Sequence, residues 1–134
     1  MDSRKFDITA LDVTAHSEEG IDVPIVNPRT GEETGLVIKV QGAFSERFQE
    51  LMSRRKKRQA MREKSAVARA MSPEDDDDTA EVLAEVTLGW TNMVEAGKDI
   101  AFSKAEARRV YEKYPVIRGQ VLTAAIDVGN FIKD

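Results

Sequence analysis

The charge along this chain reverses sign in mid-sequence. Nine basic residues and two acidic ones lie between Arg47 and Arg69, and five carboxylates then stand in a row from Glu74 to Asp78. A single compact core does not require such a switch. A helix charged on every side has no face to bury, so Arg54, Arg55, Lys56, Lys57 and Arg58 belong on a solvated helix. The switch therefore divides the chain into unlike parts. The expected organisation is a β-hairpin and basic-helix module over 1–71, an acidic linker over 72–79, and a three-helix module over 80–134. The fold class is α+β. Each part is small enough to be marginal alone, which makes partner binding or self-association an expectation.

The first part reads as extended chain. Phe6, Ile8 and Leu11 form a short, imperfect strand pattern, and Ala15 to Gly20 reads as a polar loop. Ile21, Val23 and Ile25 alternate with Asp22 and Pro24, as a half-buried strand does. Pro24 has no amide proton to give a ladder, which puts this strand at a sheet edge. Asn27-Pro28-Arg29-Thr30-Gly31 is a turn, and Leu36, Ile38 and Val40 supply the returning strand. Ser45 can cap the helix that follows, with Phe48, Leu51 and Met52 as its one apolar face. Ala66 to Ala70 keeps helix propensity high, and Ser72-Pro73 is a stop signal.

The last part is helical by period. Val82, Val86, Trp90 and Met93 fall on one stripe, and Gly97 ends that element. Ser103 and Glu106 have the spacing of a capping box ahead of Ala107, Val110, Tyr111 and Tyr114. Pro115 suits the first turn of a third helix, which carries Ile117, Val121, Ala124, Val128 and Phe131.

Little in this sequence carries chemistry. There is no cysteine, which removes thiolate nucleophiles, disulfides and cysteine metal sites. The single histidine, His16, sits among Ser17, Glu18 and Glu19 with no second ligand of its kind. The Asp75 to Asp78 run lacks the glycine and spaced glutamate of a calcium loop. No serine lies in a nucleophile elbow, and no Gly-Lys-Ser/Thr follows the glycines. A non-enzyme without cofactor or metal is the expectation. No apolar run approaches the roughly 18 residues of a membrane span, and the start of the chain lacks the apolar stretch of a signal peptide.

Two groups of residues remain as candidate partner contacts. Arg54, Arg55, Lys56, Lys57 and Arg58 could grip phosphates in a salt-sensitive way. Against nucleic acid stand the net charge of −4, the lack of interleaved aromatics and the adjoining carboxylates. A protein-docking arm is the favoured reading, and a small nucleic-acid-binding regulator is the alternative. Trp90, Phe102, Tyr111, Tyr114 and Phe131 form the second group, able to line a hydrophobic cleft for a client helix.

Several short motifs resemble the tail assembly chaperones of long-tailed bacteriophages. They are Gly89-Trp90, Ile100-Ala101-Phe102-Ser103-Lys104-Ala105-Glu106-Ala107, Tyr114-Pro115-Val116-Ile117 and Asn130-Phe131. The hairpin sequence Asn27-Pro28-Arg29-Thr30-Gly31 with Leu36 to Val40, followed by a basic helix, is similar to the same family. Ala107 stands where the family commonly has asparagine, and the acidic run is longer. The resemblance implies a non-catalytic role in the host cytoplasm. Such proteins bind the aggregation-prone tape measure protein, keep it soluble and help recruit the major tail protein. A structural tail or head-tail connector protein is the remaining alternative.

Overall fold

The computed structural model describes residues 5–64 and 75–132. It opens with helical turns where the sequence pattern pointed to extended chain. A 3-10 turn spans Ile8–Leu11, and helix α1 spans Val13–Glu19. The reason lies in two aspartates. Asp7 accepts from the Thr9 amide at 3.0 Å and Asp12 from the Ala15 amide at 3.2 Å, so each turn has its own N-cap. The strand reading of Phe6, Ile8 and Leu11 fails because no face turns inward, and all three are exposed. His16 Nε2 lies 3.1 Å from the Thr9 carbonyl and ties the 3-10 turn to α1. Gly20, at φ 84°, ends α1 in a conformation that favours glycine.

The hairpin forms as its alternation requires. Strand β1 (Ile21–Val26) pairs antiparallel with β2 (Glu33–Val40), with Ile21 opposite Val40 and Val23 opposite Ile38. Asn27 closes the turn by accepting from Thr30 and Gly31 through its carbonyl and from Arg29 through its side chain. The sheet has the order β1-β2-β3, which leaves β1, with its Pro24, at an edge.

The third strand corrects the helical reading of Trp90 and Met93. Helix α3 spans Asp75–Val86, and the chain passes directly into β3, Thr87–Thr91. Thr91 pairs with Val37 and Gly89 with Lys39 on β2. The last helical carbonyls find donors that a longer helix would have replaced. Thr87 Oγ1 donates to Leu83 O at 2.6 Å, Lys104 Nζ to Glu85 O at 2.5 Å, and the Gln41 amide to Val86 O at 2.9 Å. The residues after Val86, Thr-Leu-Gly-Trp-Thr, also suit a strand better than a helix.

Helix α2 (Glu46–Lys64) starts at Ser45, whose Oγ accepts from the Phe48 amide at 3.3 Å. Phe48 and Leu51 are buried, and Met52 is half-buried against the core. After β3 a short hairpin, β4 (Val94–Glu95) and β5 (Lys98–Asp99), precedes the final helices. Helix α4 (Lys104–Lys113) begins at Ser103, which accepts from the Glu106 amide at 3.0 Å. The Glu106 carboxylate goes to Arg109. Helix α5 (Pro115–Ile126) has its proline in the first turn, and a 3-10 turn over Val128–Phe131 follows.

One core serves both ends of the sequence. Ile38 and Val40 of the hairpin join Leu83 and Val86 of α3, Val110 and Tyr111 of α4, and Val121 of α5. A separation into modules 1–71 and 80–134 is replaced by this shared core and by the β2–β3 ladder. The acidic run does not stand apart as a linker either. Asp75 to Asp78 form the start of α3, where the helix dipole favours negative charge. Ala66 to Ala70 and the stop at Ser72-Pro73 lie outside the described residues.

Candidate functional site

Trp90 sits near the end of β3 and is half-buried, as is Phe102 just before α4. Their rings meet edge to face, with centroids 5.0 Å apart and planes at 88°. The Trp90 indole N–H donates to Ile100 O at 2.8 Å, and the Ile100 amide donates to Met93 O at 2.9 Å. These bonds fasten both ends of the β4–β5 hairpin beside the aromatic pair. The turn between β4 and β5 has positive φ at Ala96 and at Gly97, the geometry of a tight two-residue hairpin.

The hairpin is also held by charge. Glu95 of β4 accepts from the Tyr114 hydroxyl and lies 3.1 Å from Arg109 and 3.5 Å from Lys113. The Lys113 ammonium stands 5.5 Å from the centre of the Tyr114 ring. The bond from Tyr114, followed by that from Arg109, holds the Glu95 carboxyl down at about 2, against an ordinary value of 4.5. A carboxyl lowered in the folded state stabilises the fold above its unfolded value. That contribution fades as pH falls from about 4.5 towards 2. Glu95→Gln is therefore expected to lower stability most near neutral pH. The gap between variant and wild type should close through that acidic window. Urea unfolding at a series of pH values measures it, and a gap that does not change with pH would contradict the assignment.

Of the five aromatic residues marked by sequence, three belong to this region: Trp90, Phe102 and Tyr114. The other two are interior. Tyr111 is fully buried, and its hydroxyl lies 2.7 Å from Thr87 Oγ1. The Thr87 hydroxyl proton is engaged by Leu83 O, so Tyr111 is the donor to Thr87. Burial pushes the Tyr111 phenol up to about 12. Phe131 is fully buried and packs on Phe44 with centroids 5.9 Å apart. A client could reach neither ring without unfolding part of the core. A single cleft lined by all five residues is thereby corrected to a smaller aromatic region beside the β4–β5 hairpin.

The basic stretch is less open than its sequence reads. Arg54 pairs with Glu50 at 2.6 Å, and Arg47, upstream of it, pairs with Glu85 of α3 at 3.1 Å. Arg55 is half-buried and lines a small apolar cavity of about 110 Å3 with Phe48, Met52, Val82, Leu122 and Ile126. Lys56 and Lys57 are exposed. The Arg58 side chain lies outside the described residues.

One feature that sequence reasoning missed is an open groove of about 700 Å3 between β1 and α5, bordered by Val23, Pro24, Pro28, Val116 and Gln120. The Gln120 side chain donates to Val26 O at 2.8 Å and accepts from the Val26 amide at 2.9 Å. It pairs with the edge of β1 much as a neighbouring strand would. The one signal for this groove was the edge proline, Pro24. Comparison of the chain with protein-family models, with curated proteins and with solved structures finds no match.

Proposed function

We propose that this chain is a non-catalytic tail assembly chaperone of a long-tailed bacteriophage. In this reading it binds and solubilises the tape measure protein in the host cytoplasm and helps recruit the major tail protein. The observation that carries the reading is the use made of the motif residues. Gly89-Trp90 lies within β3, and Phe102 seats the Trp90 ring. Ser103 caps α4, Pro115 opens α5, and Asn130 Nδ2 donates to Ala124 O at 2.9 Å beside the buried Phe131. Each motif residue has a local structural role, which supports reading the motifs together. The half-buried Trp90, Phe102 and Tyr114 supply apolar surface for a client helix. Exposed Lys56 and Lys57 can steer an acidic partner. Among the described residues no helix is long and apolar enough to cross a membrane.

The nucleic-acid reading is weakened by the pairing of Arg47 and Arg54 with carboxylates. Co-expression with the tape measure protein encoded in the same genome tests the proposal. The soluble fraction of that protein should rise with this chain present, and an unchanged fraction would count against it. Presence of the chain in purified particles would favour a structural tail protein instead.

A further inference from the structure

Strand β1 ends its sheet, and its free edge faces open space. Beside the groove of about 700 Å3 a smaller one, of about 330 Å3, carries that space on past Ile21, Asp22, Ala124 and Asn130. A paired strand would sit about 4.8 Å away, so bulk alone does not keep one out. The backbone groups of Val26 turn to this edge, because the Gln120 side chain meets both of them there. Strand backbone alternates, so the groups of Asp22 and Pro24 turn the same way. Each of the three positions then resists pairing. At Val26 the Gln120 amide engages the donor and the acceptor that a partner strand would use. At Pro24 there is no N–H to give. At Asp22 the residue is exposed and carries a carboxylate.

We propose that Pro24 and Gln120 hold the free edge of β1 closed against β1 of a second copy of this chain, so that the edge pairs only when the Gln120 side chain is displaced. The second copy is the partner these obstacles fit. Two identical edges pair antiparallel about a two-fold axis, and each residue then meets itself or a near neighbour. With Pro24 on the axis both central hydrogen bonds are lost, since neither proline has a donor. With Asp22 on the axis two carboxylates stand opposite each other, which disfavours pairing. Any register that runs on past Pro24 needs the Val26 backbone, which Gln120 covers. An unprotected edge of this kind is a template for joining chains. The glutamine on α5 thus supplies the strand-like contact from within the same molecule. This inference is independent of the chaperone reading.

Sedimentation velocity over a concentration series, joined to amide hydrogen exchange of β1, tests this on the full chain. The proteins compared are wild type, P24V/Q120L, T123V and Y111F. Pro24→Val restores a donor, and Gln120→Leu removes the amide at similar volume. Thr123→Val adds apolar surface to the same groove and leaves the edge closed. Tyr111→Phe lowers stability away from β1. The double variant should self-associate about tenfold more tightly than wild type. Its Asp22 and Val26 amides should gain protection as concentration rises. Wild type and both controls should show neither change. A double variant that associates no more than wild type would overturn the assignment, as would concentration-dependent protection of β1 in wild type. Equal association of T123V would move the effect to apolar surface, and of Y111F to partial unfolding, and either result overturns it. If the double variant fails to fold, the two single variants are measured, and no gain in association in either one overturns it.

Discussion

Tyr111→Ala is expected to destabilise the fold by about 4 kcal/mol, the range for removing a fully buried aromatic ring. Tyr111 is 0% exposed and stands between α4 and the junction of α3 with β3. Its hydroxyl donates to Thr87 Oγ1, which in turn donates to Leu83 O. Tyr111→Phe keeps the ring and leaves the Thr87 bond to Leu83 intact, so its cost should be about 1 kcal/mol. Thr87→Val should cost more than Tyr111→Phe, about 2 kcal/mol, because it strands the buried hydroxyl of Tyr111. Urea unfolding monitored by the fluorescence of Trp90, the chain's single tryptophan, gives all three values. A Tyr111→Ala protein of wild-type stability that lost only partner binding would return Tyr111 to the surface role its sequence first suggested.

Gly42→Ala is the second large effect. A Cβ at this position would overlap the Cζ atom of Phe131 and lie only 2.6 Å from both Phe131 Cε1 and Ser17 Oγ. The backbone has little room to retreat. The Gly42 amide donates to Ser17 O at 3.1 Å, the Ala43 amide to Ala125 O at 2.8 Å, and Ser45 Oγ to Gly42 O at 2.8 Å. The ring of Phe131 must therefore leave its site or the start of α2 must move, at a cost of about 3 kcal/mol. A double-mutant cycle separates this from a general glycine effect. In a Phe131→Ala background the ring is gone, and Gly42→Ala should then cost far less. Additive costs would contradict the contact.

These residues mark what a sequence reader can and cannot see. The β1–β2 hairpin was legible because alternation, an edge proline and a turn sequence all agree. The starts of α4 and α5 were legible because Ser103 and Pro115 act locally. β3 was not, since Val82, Val86, Trp90 and Met93 keep a helical spacing across a boundary set from elsewhere. That boundary depends on Lys104 and Gln41, which lie far from Val86 in sequence and next to it in space. Helix α1 escaped notice because it buries only Ser17 and so shows no apolar stripe. Among the aromatics, residue type pointed to the Trp90–Phe102 pair but could not separate it from the interior Tyr111 and Phe131. The burial of Phe131 depends on the absence of a side chain at Gly42, on the other side of the contact.

The sign change also has a different meaning once α2 and α3 are seen side by side. The described residues of the basic arm and of the acidic linker lie on two helices, α2 and α3, that the Arg47–Glu85 bridge joins. The chain presents its aromatic region and its exposed lysines on a single folded body.

Affinity purification through a tag on the tape measure protein, after co-expression with this chain, tests the central claim most directly. If the chain is such a chaperone, the purified material is a soluble complex that contains the chain and stays together through gel filtration. A tape measure protein that emerges soluble without the chain, or a chain that elutes alone beside an aggregated client, would contradict it.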